Sequence, residues 1–198
     1  MSESSQPAGQ APPQSPRPRR RGGRRFLFLL LLLVLVAWPF RRELGNAVRA
    51  LRLGFEPAPV VLPVPVEGVK PEDLTDTWGG LRSGGRHHEG IDIFAPRGTH
   101  VTAAARGFVT GRGWNRLGGR FVRVFGAGAQ SYYYAHLDAF DAPDVGDWVE
   151  PGDLLGYVGT SGNANGTPPH LHLGIYRMGG RAINPYPFLV PTPPSSPP

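Results

Sequence analysis

The 198-residue chain has no cysteine, and its one lysine is Lys70. Without cysteine there is no disulfide framework, no thiolate metal site, no cysteine nucleophile and no lipidated N-terminal cysteine. The formal charge of +6 is confined to one end of the chain. Residues 1–56 hold ten Arg against Glu3, Glu43 and Glu56, whereas residues 57–198 hold eleven basic against twelve acidic groups. The body of the protein therefore lacks the basic surface of a nucleic-acid binder, and no nucleic-acid partner is expected. What is abundant is Gly and Pro, 28 and 23 residues. About a quarter of the chain in these two types excludes a helical bundle and points to turn-dense structure with unstructured ends. The length suits one ordinary domain with appendages.

Residues 1–25 are Pro, Ser, Gln and Arg without apolar periodicity, which reads as a disordered basic arm. Residues 26–40, FLFLLLLLVLVAWPF, carry no charge and are bracketed by Arg24-Arg25 and Arg41-Arg42. As a helix they would span roughly 22 Å, short of a ~30 Å hydrocarbon core, with arginine snorkelling and bilayer thinning available to close the gap. The expectation is a single transmembrane signal-anchor over 26–40, with residues 1–25 in the cytoplasm by the positive-inside rule. A cleaved signal peptide, cut near Gly45-Asn46-Ala47, and a twin-arginine export signal are its rivals. The next segment, 41–68, is juxtamembrane and Pro-rich. Residues 41–53 either extend the helix or lie on the membrane surface, and 56–67 (EPAPVVLPVPVE) form a polyproline-like spacer lifting the next domain off the bilayer. The tail, 191–198, is a second disordered Pro-rich end. The chain is thus expected at the inner or cytoplasmic membrane, single-pass, with its body on the periplasmic or extracytoplasmic side.

Between 69 and 190 short β-branched and aromatic runs alternate with glycine-rich turns: 107–111, 120–125, 131–137, 154–159 and 170–176. No window of helical length shows a 3.6-residue period. The expected fold class is all-β, a domain of short strands. Tyr132, Tyr133 and Tyr134 are expected to alternate between core and solvent.

Five of the six histidines fall in three places: His87-His88-Glu89-Gly90-Ile91-Asp92, Tyr134-Ala135-His136-Leu137 and Pro169-His170-Leu171-His172. His100, in Arg97-Gly98-Thr99-His100, reads as a surface residue, and His87 as the neighbour pointing away. With no cysteine, a zinc site must be built from His and carboxylate. His-x-His on a strand puts both imidazoles on one face. The glycine between His88 and Asp92 permits a tight bend that turns both side chains toward one point. Each piece alone is more often an ordinary polar feature than a ligand set.

In combination and in this order, His88-x-Gly90-x-Asp92, Tyr134-Ala135-His136-Leu137, Gly159…Gly162-Asn163…Gly166 and His170-Leu171-His172 resemble the LytM/lysostaphin-type zinc metalloendopeptidases, which are peptidoglycan hydrolases. The resemblance covers roughly 68–188 and implies a compact antiparallel β-sheet domain. It implies one Zn²⁺ held by His88, Asp92 and His172, with His136 and His170 as the catalytic histidines. It implies a substrate-binding or oxyanion role for Arg82, in Trp78-Gly79-Gly80-Leu81-Arg82, and peptidoglycan as the partner. The reaction it implies is cleavage of peptide bonds in stem peptides or cross-links by attack of a zinc-bound water. Its alternative is a non-catalytic LytM-type regulator that binds and activates a cell-wall amidase. Val149 to Gly156 also resembles the hammerhead turn of biotinyl and lipoyl carriers, but a carrier needs an acceptor lysine at a hairpin tip and Lys70 is near the linker.

Overall fold

The computed structural model describes residues 22–38, 41–141 and 143–191. Most of the expected disordered arm and all but Pro191 of the expected tail lie outside these residues. The chain divides into two compact units after Arg41.

In the first unit, helix α1 spans Gly22–Ala37 and opens with Gly-Gly-Arg-Arg. Sixteen residues give a rod of about 24 Å, of which only Phe26 to Ala37 is apolar. Among the described residues no helix is long and apolar enough to cross a membrane. The described residues therefore do not by themselves show the span expected over 26–40. The helix begins four residues earlier and has left the α conformation by Trp38, which precedes Pro39 and is disfavoured from the α region for that reason. Pro39 and Phe40 lie outside the described residues. The apolar side chains along α1, Phe26, Leu29 and Leu33 among them, are exposed.

The second unit opens with α2, Arg41–Phe55, and continues as a sheet-rich body. Its strands are β1 Leu81–Arg82, β2 Arg86–His87, β3 Ile91–Phe94, β4 His100–Thr102, β5 Gly107–Asn115, β6 Gly119–Gly126, β7 Gln130–Leu137, β8 Trp148–Val149, β9 Leu154–Tyr157, β10 His170–Tyr176 and β11 Ala182–Ile183, followed by a short helix α3, Tyr186–Leu189. Among the described residues one sheet runs β11-β10-β7-β6-β5-β8 with β3 also on β10, and β4-β9 and β1-β2 form two smaller sheets. All pairings are antiparallel. Strand β10 is the hinge of the arrangement. One edge pairs with β7, and the other pairs with β3 through residues 170–173 and with β11 through residues 175–176.

Alternation explains which side chains go where. Ile91 and Ile93 of β3, Leu171, Leu173 and Ile175 of β10, Tyr132 and Tyr134 of β7, and Val122 and Val124 of β6 all enter one buried core. Because successive residues face opposite sides of a strand, Asp92, His170, His172 and Tyr133 are delivered together to the other face. The two buried tyrosines keep their hydroxyls satisfied: Tyr134 Oη accepts from the Ala104 amide and Tyr132 Oη donates to Gln130 Oε1, as buried polar groups require.

Residues 56–67 do not stand free as a spacer. Leu62 and Val66 are core residues, the Leu62 amide donates to Phe188 O, and the Thr102 amide donates to Pro65 O. The Val-Pro alternation puts an apolar side chain within reach of the core every few residues, and burying them outweighs leaving the strap in water.

Candidate metal centre

Asp92 and His172 sit directly opposite each other on β3 and β10, so sheet register alone brings a carboxylate against an imidazole. His88, four residues before Asp92, joins them from the loop ahead of β3. His88 Nε2 is 3.1 Å from Asp92 Oδ1 and 2.8 Å from His172 Nδ1, and His172 Nδ1 is 3.3 Å from Asp92 Oδ1. Among the described residues these three form a cluster able to hold a metal ion.

The tautomer of His88 is fixed by its neighbours. Its Nδ1 lies 2.8 Å from the Thr77 carbonyl, which can only accept, so in neutral His88 the proton is on Nδ1 and Nε2 is a bare acceptor. Arg82 Nη2 is also 2.7 Å from that Nδ1 and 2.5 Å from Asp92 Oδ2. A protonated Nδ1 cannot accept, so Arg82 donates to Asp92. With Oδ2 occupied by Arg82, Asp92 offers Oδ1 to the centre. His88 Nε2 and Asp92 Oδ1 are then two buried acceptors facing each other, an arrangement that calls for a cation between them. Three atoms about 2.0–2.1 Å from a tetrahedral centre stand roughly 3.3–3.4 Å apart, close to the separations observed. Two imidazoles and one carboxylate are a zinc-type donor set that leaves one position open. The residues present fit the metal.

Burial raises the Asp92 carboxyl, but the His172, His88 and Arg82 side chains beside it outweigh that and hold Asp92 well below the usual carboxylate range. Burial likewise pushes His172 down, only partly opposed by Asp92. Both effects keep the donors in the forms that bind metal.

His136 and His170 stand beside the cluster, their rings 5.0 Å apart and that of His136 5.8 Å from His172. Each is held by a backbone carbonyl: His136 Nδ1 donates to Ser161 O at 2.9 Å and His170 Nδ1 to Pro168 O at 2.8 Å. In the neutral ring each therefore carries its lone pair on Nε2, that of His170 lying 3.8 Å from Asp92 Oδ1. Burial, and then the neighbouring His172, lower His136 to about 4, so it is neutral and able to accept a proton at neutral pH.

Strict alternation would send His136 into the core with Tyr132 and Tyr134. The β6–β7 register shifts between Arg120↔Leu137 and Val122↔Tyr134, so Ala135 and His136 together oppose Phe121. This is a β-bulge, with His136 at φ 63°, a conformation uncommon outside glycine but tolerated by His. Its amide donates to Gly118 O at 2.7 Å. The bulge re-aims the imidazole to the cleft face and returns Leu137 to the core.

Gly90 serves a different end from the bend expected of it. Its φ is not left-handed. A Cβ there would come 2.5 Å from Leu173 O and 2.6 Å from His172 Cε1, so its bareness gives the His172 ring its place. His87, expected to point away, instead lines the cleft, its Nδ1 2.9 Å from Gly79 O, and His100 is exposed and paired with Glu67. Tyr133 is not simply solvent-facing. It lines the cleft, and its Oη accepts from Asn115 Nδ2. Sequence reasoning missed Thr77, whose carbonyl orients His88 and whose Oγ1 accepts from the Asp92 amide. At 11 and 15 residues upstream of its partners, a lone threonine leaves no recognisable signal.

The centre opens into a cleft of about 700 Å³, lined by His88, His136 and His172 and, beyond them, by Arg82, Asn115, Tyr133, Arg123 and Tyr176. A curled antiparallel sheet presenting a His-Asp-His donor set at the foot of such a cleft defines a metallopeptidase type of architecture. The chain belongs to peptidase family M23, whose sequence profile matches residues 86–185. It is 43% identical over 124 residues to the L-Ala–D-Glu endopeptidase of Bacillus subtilis (strain 168), covering 57% of this chain and 38% of that one. To the DD-carboxypeptidase/endopeptidase Mpg of Neisseria meningitidis serogroup B it is 36% identical over 126 residues, covering 64% and 26%. The chain thus spans well under half the length of either enzyme. Among solved structures it resembles the catalytic domain of lysostaphin from Staphylococcus simulans, with TM-score 0.54 and 30% identity over 60% of this chain and 94% of that one. The fold is of the LytM/lysostaphin type.

Proposed function

We propose that this chain is a membrane-anchored zinc metalloendopeptidase that cleaves peptide bonds in peptidoglycan stem peptides or cross-links. The observation that carries the reading is the convergence of His88 Nε2, Asp92 Oδ1 and His172 Nδ1 beside two histidines with unprotonated Nε2 atoms. His88, Asp92 and His172 would hold the zinc, which when bound acidifies a water and polarises a carbonyl. Thr77 and Arg82 fix the orientation of two of these donors, as outer partners of metal ligands do. His136 and His170 present Nε2 lone pairs able to take a proton from an attacking water and return it to the leaving amine, a contribution of about 10²–10⁴-fold. Arg82 is engaged with Asp92 and has a half-open side chain, so a part in binding substrate oxygen is compatible with its position.

The substrate reading is supported by the family and by relatives named for cleaving such peptides. Location at the cytoplasmic membrane, with the domain outside, is supported by the uncharged run 26–38 and the arginines on both flanks. With an apolar stretch of only about 18 Å, Phe26 to Ala37, α1 would need arginine snorkelling and local bilayer thinning to cross. Amino-terminal sequencing and membrane fractionation test that part, and a mature chain starting near Val48 would replace the anchor by a secreted enzyme. For the chemistry, the detergent-solubilised, zinc-loaded chain is incubated with purified peptidoglycan and the released muropeptides are analysed by mass. New amino termini are expected. No release from folded, fully loaded protein would leave the non-catalytic amidase regulator instead.

A further inference from the structure

Helix α2 carries two apolar stripes, only one of which is used. The inner stripe, Asn46, Ala50 and Leu53, recurs at helical spacing and sits on the domain. Leu53 is buried with Phe108 and Ala127, and Ala50, Phe125 and Trp148 pack around them. Asn46 Nδ2 donates to Gly146 O at 3.0 Å, and Gly54 lies against Phe125. The outer stripe, Val48, Leu51 and Phe55, recurs at the same spacing on the opposite side of the helix, and is 44%, 65% and 84% exposed. A helix docked by one face ordinarily turns a polar face to water. Here the outer face is apolar, and Arg49 and Arg52 on its flank are exposed and form no ion pair with any described residue.

We propose that α2 is an interfacial helix: its outer stripe lies in the headgroup boundary of an anionic bilayer while its inner stripe holds the enzyme domain. The proposal rests on the membrane location put forward above and is independent of the peptidase chemistry. Charge decides between occupants. A second copy of this face would bring its own Arg49 and Arg52 against these two, whereas lipid phosphates complement them. The long run of apolar residues 26–37 ahead of α2 brings the same stretch of chain to a membrane.

The placement of α2 also sets the direction of the cleft. Strand β5 starts at the helix, with Phe108 against Leu53, and ends at Asn115 in the cleft wall. Strand β6 returns from the cleft to Phe125 at the helix. The hairpin therefore separates bilayer from cleft by roughly 22 Å at about 3.3 Å per residue. With α2 on the membrane, the cleft opens away from it.

The chain has no native cysteine, so single nitroxide labels are unambiguous. Leu51→Cys, Phe55→Cys and, at the cleft end, Leu81→Cys are introduced into the full chain. Each labelled chain is bound to vesicles of phosphatidylglycerol and phosphatidylethanolamine and isolated by flotation. Collision with oxygen and with a water-soluble nickel chelate is then measured. The expected result is oxygen-accessible, nickel-shielded labels at 51 and 55, and a nickel-accessible label at 81, the two sites differing severalfold in the ratio. Nickel-accessible labels at 51 and 55 in chain that floats would overturn the interfacial helix alone. Labels at 51 and 55 shielded from both reagents would overturn it in favour of a protein contact, such as a second copy. A chain that does not float at all would overturn both the interfacial helix and the membrane location.

Discussion

Strands β3, β7 and β10 have two faces that differ in what they ask of a side chain. On one face Ile91, Ile93, Leu171, Leu173, Tyr132 and Tyr134 fill a dry core. One residue along, on the other face, Asp92 and His172 hold polar atoms 3.3 Å apart, His170 Nε2 stands 3.8 Å from Asp92 Oδ1, and Tyr133 lines the cleft. The core face is specified by volume and apolarity, and a wrong residue there costs stability. The cleft face is specified atom by atom, and a wrong residue there costs chemistry while the sheet persists. Neighbouring residues of one strand thus obey separate rules, because the strand buries one face and uses the other.

The comparison breaks most sharply at adjacent positions of β10. His172→Ala should abolish stoichiometric zinc binding and reduce hydrolysis to background while leaving the fold in place, since one of three donors is gone. Elemental analysis beside circular dichroism checks this, and a variant that retained full zinc would show the ligand assignment to be wrong. Leu173→Ala next to it should do the reverse. It leaves every proposed donor in place but opens a cavity in the core, costing about 2–5 kcal/mol, read as a lowered denaturation midpoint.

A finer division lies within the cleft face. His170→Ala and His136→Asn should both keep stoichiometric zinc, while turnover falls by about 10²-fold or more. Asparagine is chosen at 136 because it too tolerates the left-handed conformation. Loss of metal from either variant would move that histidine into the ligand set.

Smaller still is the effect expected at the edge of the centre. Arg82→Ala frees Asp92 Oδ2 and should weaken zinc affinity about 10–100-fold, measured by competition with a chelator. An unchanged affinity with reduced turnover would instead assign Arg82 to the substrate.

Much of this was legible in the chain itself. The positions of the five main strands followed from apolar runs between glycines, and the helix-poor character of the body from the absent 3.6-residue period. His88, Asp92 and His172 stood out only through the combination and order of His-x-Gly-x-Asp, Tyr-Ala-His-Leu and His-x-His, which resembles a known family, each pattern alone being an ordinary polar feature. Sequence alone also located the basic and apolar N-terminal end. It did not place the start of the apolar helix, which lies at Gly22 rather than Phe26, because a hydropathy count carries no information on where the backbone enters the α conformation.

What tertiary structure alone decided was everything that depends on a distant partner. The bulge that turns His136 out of the core exists because β7 must register against both β6 and β10, and no local pattern announces it. Gly90 needs to be bare because the ring of His172 comes to rest beside it, 82 residues further on. The Thr77 and Ser161 carbonyls that select histidine tautomers carry no side-chain signature, since every residue has a carbonyl. The Pro-rich strap belongs to the core because Phe188 and Thr102 happen to receive it. Period-two alternation is a property of the chain and can be read along it. Register, bulges and close approach are properties of pairs, and are settled only when the second member of the pair has been brought into place by folding.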